Sequence, residues 1–316
     1  MWRYIVKRLL LMIPVLIGVT FMVFFIMSLT KGDAAMIVAG EEASEEQLEA
    51  VREELGLNDP LVIRWGKYVL NLMQGDLDVS YVTKEPVWNM YIQRIPNTFL
   101  LACCAMLVAL AIALPLGITA ATHQNSMLDT FSMILALIGV SMPTFWLGLL
   151  LMMVFSLKLG WLPSNGFDSW KSVILPALTE GMFLVGLMTR TTRSAMLDTL
   201  RSDYMTTALA KGVSKWNAIM KHGFRNALIP IVTTGGMQFV YVMAGTVAVE
   251  RIFAWPGMGR QVITSIGQRD NNVVTGFVIM TSIMVCVVQL LMDVVYAFLD
   301  PRIKAMYAVR KVKTKK

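Results

Sequence analysis

The sequence predicts an all-α polytopic membrane protein with six transmembrane helices. Of its 316 residues, 56% are hydrophobic and only 16% are charged, whereas about a quarter of a typical soluble domain is charged. Six apolar stretches account for this deficit, and each is close to or above the roughly 20 residues that a helix needs to cross the hydrocarbon core. None alternates apolar with polar residues, as the strands of a membrane barrel do. Soluble enzymes, nucleic-acid modules and disulfide scaffolds are therefore excluded.

The six predicted spans are windows that contain no Lys or Arg and at most one acid. They cover residues 9–30, 95–128, 130–157, 172–189, 226–249 and 271–299. Glu180 interrupts the fourth window and Asp293 the sixth. Pro143 lies inside the third window and is expected to kink that helix, because proline removes a backbone donor.

The distribution of Lys and Arg predicts that both termini are cytoplasmic. Six spans place both ends on one side, which carries 17 of the 28 basic residues, against 11 on the other side. Cytoplasmic loops carry the excess of positive charge in membrane proteins. The first apolar run is too long for the core of a signal peptide, so we expect an uncleaved anchor.

Three regions are predicted along the chain. Residues 1–98 form an anchor helix and an external loop with short helices, 99–300 form the bundle of spans two to six, and 301–316 form a basic cytoplasmic tail. The external loop has a net negative charge, which indicates either helix capping with a solvated face or a docking surface for an extracellular partner.

Sequence signals in that loop predict two short helices. Ser44 and Gln47 have the spacing of a capping box, and Gly56 is expected to end the helix that they start. Pro60 is expected at the first position of a second helix.

Between the fourth and fifth spans, residues 202–226 form a basic cytoplasmic segment. Ser202 or Asp203 is expected to cap a short helix that Gly212 ends, and Ser214 to cap a second helix directed toward the membrane. Pro230 lies just inside the next span. Two short helices around a glycine form a compact knob suited to insertion into a cleft of a partner.

This segment resembles the cytoplasmic loop of the permease subunits of ABC importers. The spacing from Ala208 through Gly212 to Pro230 is similar to that of the dipeptide/oligopeptide/nickel importer branch. The likeness extends over almost the whole chain, in motifs that occur in the family's order: Tyr4 to Leu10, Gly75-Asp76-Leu77, Pro143 to Gly148, Leu159 to Pro163, Phe253 to Gly259 and Leu299 to Arg302. The chain most resembles the first of the two permeases in such importers.

The resemblance implies a type I ABC importer permease in the bacterial inner (cytoplasmic) membrane. Its implied partners are a second homologous permease, two cytoplasmic ABC ATPase subunits and an external substrate-binding protein, with no nucleic acid. The implied cargo is a di- or oligopeptide, a nickel chelate or another small solute. The chain lacks a G-x-x-x-x-G-K-[ST] phosphate loop, so no cofactor is expected in it, and ATP and Mg are expected in the ATPases.

The resemblance also implies that residues 202–226 couple the permease to its ATPases. The candidate residues are Asp203, Ala208, Lys211, Gly212, His222, Arg225, Asn226 and Pro230. The chain departs from the older superfamily motif at Thr206, where that motif has an acid, so an acid-mediated contact is not implied. For His222, a surface histidine with no special role is an equal alternative.

Candidates for the translocation path are polar or small residues inside spans. They are Glu180, Ser141, Thr144, Gly235 and Gly236. Glu180 is expected either to line the path, where it contacts a substrate amine, or to join two helices. The glycines and hydroxyls also suit close helix packing. Asp293 is expected near the cytoplasmic end of its span, satisfied by headgroups or basic neighbours.

An external hairpin at the mouth of the path is predicted around Trp255, Pro256 and Gly257. No catalytic or metal-binding constellation is expected, because the chain has two histidines and three cysteines, all three inside apolar runs. The alternative function is an ion-coupled secondary transporter. Such a protein is expected to have two similar halves with matched ionisable residues, and no clear repeat is present here.

Overall fold

The computed structural model describes residues 2–29, 34–40 and 42–299, and this part of the chain is helical without a strand. The predicted basic tail, 301–316, lies outside the described residues. In chain order the helices are α1 (Trp2–Leu29), α2 (Ala34–Ala39), α3 (Glu45–Glu54), α4 (Leu61–Met73), α5 (Val87–Thr122), α6 (Met127–Ser141), α7 (Thr144–Leu151), α8 (Ile174–Leu200), α9 (Asp203–Ala210), α10 (Lys215–Asn217), α11 (Arg225–Gly245), α12 (Val247–Ile252), α13 (Met258–Gly267) and α14 (Asn271–Leu299). Two π-helical segments, Met152–Lys158 and Ala218–Phe224, extend α7 and precede α11, and a 3₁₀ turn, Trp170–Val173, leads into α8.

Five continuous helical stretches are long and apolar enough to cross a membrane. They are Ile5–Leu29, Val87–Thr122, Trp170–Leu200, Lys215–Gly245 and Asn271–Tyr296. A sharply bent pair, Met127–Ser141 with Thr144–Lys158, is a sixth candidate. The all-α polytopic fold is therefore confirmed, with five spans or six in the described residues. The orientation of the termini stays a prediction.

The predicted kink at Pro143 is a complete break in the helix. The axes of α6 and the helix that follows it differ by 101°. Met142 has extended backbone angles (φ −76°, ψ 126°), and Pro143 occupies the N-cap position of α7. Because a residue before proline avoids the helical region, the Met142-Pro143 pair ends one helix and starts the next.

A turn interrupts the second predicted span, whose end at residue 128 was wrong. α5 ends at Thr122, and Asn125 has a positive φ of 62°. Ser126 then caps α6, where its Oγ accepts a hydrogen bond from the Asp129 amide at 3.4 Å. The window lacked formal charge through this turn, so hydropathy alone did not register it.

The short external helices largely follow their sequence signals. The capping box is confirmed: the Gln47 amide donates to Ser44 Oγ at 3.3 Å, and the Ser44 amide donates to Gln47 Oε1 at 2.9 Å. Gly56 follows the last turn of α3 with φ +62°. Pro60 is the N-cap residue of α4, whose first residue is Leu61. The prediction for Pro60 was therefore wrong by one position.

The chain forms two compact units. The N-terminal unit consists of Trp2–Thr98 with Pro256–Val287, and the core unit consists of Phe99–Trp255 with Val288–Lys316, of which the structure describes the part up to residue 299. The N-terminal unit is organised around a buried cluster that includes Tyr91 and Phe277, whose ring centroids lie 5.3 Å apart.

In the core unit, α8 is the central helix, and it contacts α6, α7 and α11. Glycines allow α6 and α8 to approach closely. A Cβ atom at Gly139 would lie 2.6 Å from the Met182 carbonyl oxygen, and one at Gly186 would overlap the Val140 side chain. Small residues at such contacts are typical of helix packing in membranes.

Candidate functional site

The cytoplasmic segment 202–226 has the helix–glycine–helix shape that the sequence predicts. α9 ends in a Schellman motif, in which the Val213 amide donates to the Ala208 carbonyl at 3.2 Å and the Gly212 amide to the Leu209 carbonyl at 3.0 Å. Gly212 has a φ of +85°, a conformation that L-residues rarely adopt. This motif fixes the direction in which the second helix leaves the turn.

The predicted side-chain caps of these two helices are absent. Ser202 is the N-cap residue of α9, but its hydroxyl donates to the Thr199 carbonyl instead of accepting from a helix amide. Ser214 occupies the N-cap position of α10, also without a side-chain hydrogen bond. The preceding helix, which runs on to Leu200, offers the Ser202 hydroxyl a carbonyl acceptor within reach.

The predicted coupling residues divide between an exposed and a buried face. The exposed ones are Asp203, Lys211, Gly212, His222, Arg225, Asn226 and Pro230. Ala208 is buried, and with Met205, Ala218 and Ile219 it forms the underside of the segment. The Asn226 side chain donates to the His222 carbonyl at 2.8 Å, which joins the π-helical turn to α11.

This segment also exposes apolar side chains that were not among the predicted coupling residues. Trp216 is 66% exposed, and Tyr204 and Leu209 are also exposed. Aromatic side chains are enriched in the centres of protein interfaces. These apolar residues alternate with Lys and Asp along the segment, whereas the lipid-facing surface of a helix lacks such charges. This pattern was the available sequence signal for a surface that binds another protein.

A second candidate site is a cavity of about 280 Å³ within the core unit. It lies beside the break between α6 and α7, and the structure brings three predicted path residues to it: Ser141, Thr144 and Glu180. Its remaining lining residues are Val140, Met142, Pro143, Phe183, Tyr241, Gly245 and Ala248.

Glu180 is only 5% exposed, and Glu250, which directly follows the fifth predicted span, is completely buried in α12. The two carboxylates are close enough to repel each other. Glu250 Oε1 accepts a hydrogen bond from Thr246 Oγ1 at 2.9 Å. The charge-free windows ended one residue before Glu250, so its partnership with Glu180 was not foreseen.

Gly235 and Gly236 lie outside this cavity, at helix contacts of α11. A Cβ at Gly235 would lie 3.4 Å from Met188 Cε of α8, and one at Gly236 would overlap Met292 and Tyr296 of α14. Tyr296 also donates a hydrogen bond to the Thr233 carbonyl at 2.9 Å.

The three residues of the predicted external hairpin fall in different surroundings. Trp255 is completely buried in the core unit, where its ring centroid is 4.5 Å from that of Phe167. In the N-terminal unit, the Pro256 carbonyl accepts a hydrogen bond from Asn97 Nδ2 at 2.9 Å, and Gly257 is the N-cap residue of α13.

Comparisons with known proteins agree with this architecture. Residues 113–305 match the family described as "Binding-protein-dependent transport system inner membrane component", and residues 1–102 match the N-terminal region described for such membrane components. The chain belongs to this family. It is therefore a multi-pass membrane permease, a transport subunit, and the resemblance stated from its motifs is confirmed.

Relatives of this chain are also named as transport permeases. It is 42% identical over 304 residues, 96% of its own length and 99% of theirs, to proteins called "Glutathione transport system permease protein GsiC" from Salmonella paratyphi A and Salmonella typhimurium. The protein of that name from Escherichia coli K12 is 41% identical over the same lengths.

Solved structures share the fold of the permease at low sequence identity. An inward-facing MetNI methionine ABC transporter chain superposes with a TM-score of 0.57 at 16% identity, covering 67% of this chain and 96% of that one. A chain of an amino acid ABC transporter solved with histidines gives a TM-score of 0.54 at 13% identity and covers 66% of this chain and 93% of that one. The predicted ABC importer permease fold is thus confirmed.

The permease also contains a partly buried ion pair that the sequence pattern did not indicate. Arg193 of α8 donates from Nε and Nη2 to the two carboxylate oxygens of Asp129 in α6, both at 2.7 Å. Asp129 Oδ2 also accepts from the Asn125 amide at 3.0 Å. This bidentate pair fixes α6 to α8. Ser126-Met127-Leu128-Asp129 has the form of a helix start, which was the available signal.

Within residues 2–29, 34–40 and 42–299, no group of three or more His, Cys, Asp or Glu side chains could hold a metal ion. The two histidines, His123 and His222, are at least partly exposed and lie in different turns.

Proposed function

We propose that this permease is a subunit of an ATP-driven importer, and that it forms with a second homologous permease the path for a di- or oligopeptide or a related small solute. An external binding protein delivers that cargo. The observation that carries the proposal is the 42% identity, over 96% of the chain, to permeases named for glutathione transport. Glutathione is itself a small peptide, so the cargo class expected from the motifs and the relatives' name agree.

The ATP is hydrolysed in this proposal by two cytoplasmic ABC ATPase subunits, which bind ATP and Mg. The permease sits in a bacterial inner membrane with both termini in the cytoplasm, which places segment 202–226 beside those subunits. We call this stretch the coupling segment. Its exposed apolar residues Tyr204, Leu209 and Trp216 support docking into a protein cleft.

Transport follows if ATP binding moves the coupling segments of both permeases together. Ile219 of the segment packs in one buried cluster with Met196 of α8 and Ile231 of α11. A displacement of the segment is therefore transmitted to α8 and α11 as a rigid-body motion. The ATP-bound ATPases must prefer one state of the permease, because a ligand shifts an equilibrium only by its differential affinity.

The path in this proposal passes the cavity that Ser141, Thr144 and Glu180 line, and Gly235 and Gly236 support it by allowing close packing of α11. Trp255, Pro256 and Gly257 belong to its external mouth, where the second permease and the binding protein meet this chain.

The experiment is affinity purification of the full chain from its native membrane in mild detergent, followed by mass spectrometry and an ATPase assay. We expect co-purification of ABC ATPases, a second six-helix chain and a binding protein, with nucleotide hydrolysis. A lone chain without ATPase activity, which takes up solute on an ion gradient, would contradict the proposal and favour a secondary transporter.

A further inference from the structure

The cavity beside the α6–α7 break is lined by Glu180, an acidic residue buried within a membrane-spanning helix. A charge within a membrane-spanning helix is energetically unfavourable and usually marks a functional site. Glu180 is 5% exposed and is one of the residues that line the cavity. Among the described residues it has neither a hydrogen-bond donor nor a basic partner.

The electrostatic surroundings of this cavity favour a cation. Glu250 adds a second carboxylate nearby, and its repulsion of Glu180 is relieved when a positive charge enters between or beside them. None of the residues that line the cavity is Lys or Arg. No basic side chain of the cavity lining therefore offsets the charge of Glu180.

The other lining groups suit an organic ammonium group in particular. The rings of Phe183 and Tyr241 stack with centroids 6.3 Å apart, and both line the cavity. Aromatic faces attract ammonium groups. The hydroxyls of Ser141 and Thr144 make no hydrogen bond within the part of the chain that the structure describes, so they can accept from its N–H groups.

The size of the cavity indicates how much of a cargo molecule it holds. Its volume of about 280 Å³ is just below the roughly 300–1,000 Å³ of pockets that enclose a whole drug-sized ligand. It accommodates one end of a peptide and the adjoining side chain.

We infer that this cavity binds the free ammonium group of a cationic or zwitterionic cargo, with Glu180 as its counter-ion. The inference rests on the proposed function, because it assigns the end of the cargo that the path recognises. It also accounts for a buried acid of α8 beside the break between α6 and α7: Met142 and Pro143, whose backbone is extended there, line the same cavity as Glu180.

The test measures the charge preference of the cavity directly. Ser141→Cys is introduced in the assembled importer after Cys103, Cys104 and Cys286 are replaced by Ala. Its rate of modification by a trimethylammonium methanethiosulfonate is compared with that by a sulfonate methanethiosulfonate. We expect Glu180→Gln to lower the cation-to-anion rate ratio on the order of tenfold, and Glu180→Asp to retain most of it.

A matched control removes the same charge from an exposed position of the same helix, Asp198→Asn, and is expected to leave the ratio unchanged. Trialanine should slow the modification of Cys at position 141 more than N-acetyl-trialanine does, and Glu180→Gln should abolish this difference. An unchanged ratio in Glu180→Gln, or equal protection by the two peptides, would overturn the inference. Because labelling requires no ATP, absence of ATP-driven uptake in the wild type would contradict the proposed function separately.

Discussion

Gly212 provides the sharpest test of the coupling segment. Its φ of +85° lies in the left-handed region, and a Cβ atom built on it meets nothing within 4 Å. A Cβ atom at this position therefore clashes with none of the other described residues, and its cost is backbone strain. For an L-residue that cost is about 1–2 kcal/mol.

This strain translates into a predicted series of variants. Gly212→Ala and Gly212→Val are expected to weaken docking of the ATPases about 5- to 30-fold, because 1–2 kcal/mol corresponds to that range, with the β-branched valine at the upper end. Gly212→Asn is the matched control, since asparagine tolerates the left-handed conformation. The Asn side chain is larger than that of alanine, but we expect Gly212→Asn to couple ATP hydrolysis to transport better than Gly212→Ala does.

The assay is cargo uptake per ATP hydrolysed in proteoliposomes that contain the assembled importer. We expect the uptake-to-hydrolysis ratio to fall in the order Gly, Asn, Ala, Val, while membrane insertion of the chain is unchanged. Wild-type coupling in Gly212→Val would refute the role of the segment as the lever. Equal impairment by Asn and Val would refute the strain argument and indicate a steric contact with the partner.

Three further predictions concern packing, charge and pH. Gly186→Ala should lower the free energy of unfolding in detergent by about 1–3 kcal/mol through overpacking. The control Gly235→Ala should change it little, because the nearest contact of its Cβ atom is at 3.4 Å. Equal thermal melting temperatures for the two variants would contradict the close approach of α6 and α8. Asp129→Asn should destabilise the fold by about 1–3 kcal/mol, because it leaves the partly buried Arg193 without its charge partner. Adding Arg193→Met should recover much of the loss, and a double variant as unstable as the single one would count against the pair. Burial raises the pKa of Tyr81 to about 12, so the folded protein holds the phenolic proton more tightly than the unfolded chain does. The resulting contribution to the free energy of unfolding is complete below pH of about 10 and is lost as the pH rises toward 12. Chemical denaturation at pH 8 and pH 11 should show a smaller loss of stability in Tyr81→Phe, and an identical loss in both proteins would disprove it.

The fold was predictable because the bilayer imposes a simple requirement on sequence. A spanning helix needs a long apolar run, so windows free of charge located the spans. Local chemistry located the smaller features, such as the capping box at Ser44 and the glycine turn at Gly212. The angle at Pro143 was not predictable, because proline specifies that a helix is interrupted and tertiary packing sets the new direction.

The candidate sites were predictable only in part, because charge-free windows hide charges at their edges. Asp129 fell between two windows, yet it is buried in α6 and pairs with Arg193 of α8. Glu250 lay one residue beyond a window, yet α12 places it beside Glu180. Both relationships join residues more than 60 positions apart, and periodicity along one segment carries no information about such pairs.

The most direct test of the central claim is cargo uptake by the complete complex reconstituted in liposomes, with its binding protein added outside and nucleotide enclosed inside. With radiolabelled glutathione and trialanine as probes, we expect accumulation of at least one with ATP and Mg, none with a non-hydrolysable ATP analogue, and none without the binding protein. Uptake that persists without nucleotide and follows an imposed ion gradient would contradict the account.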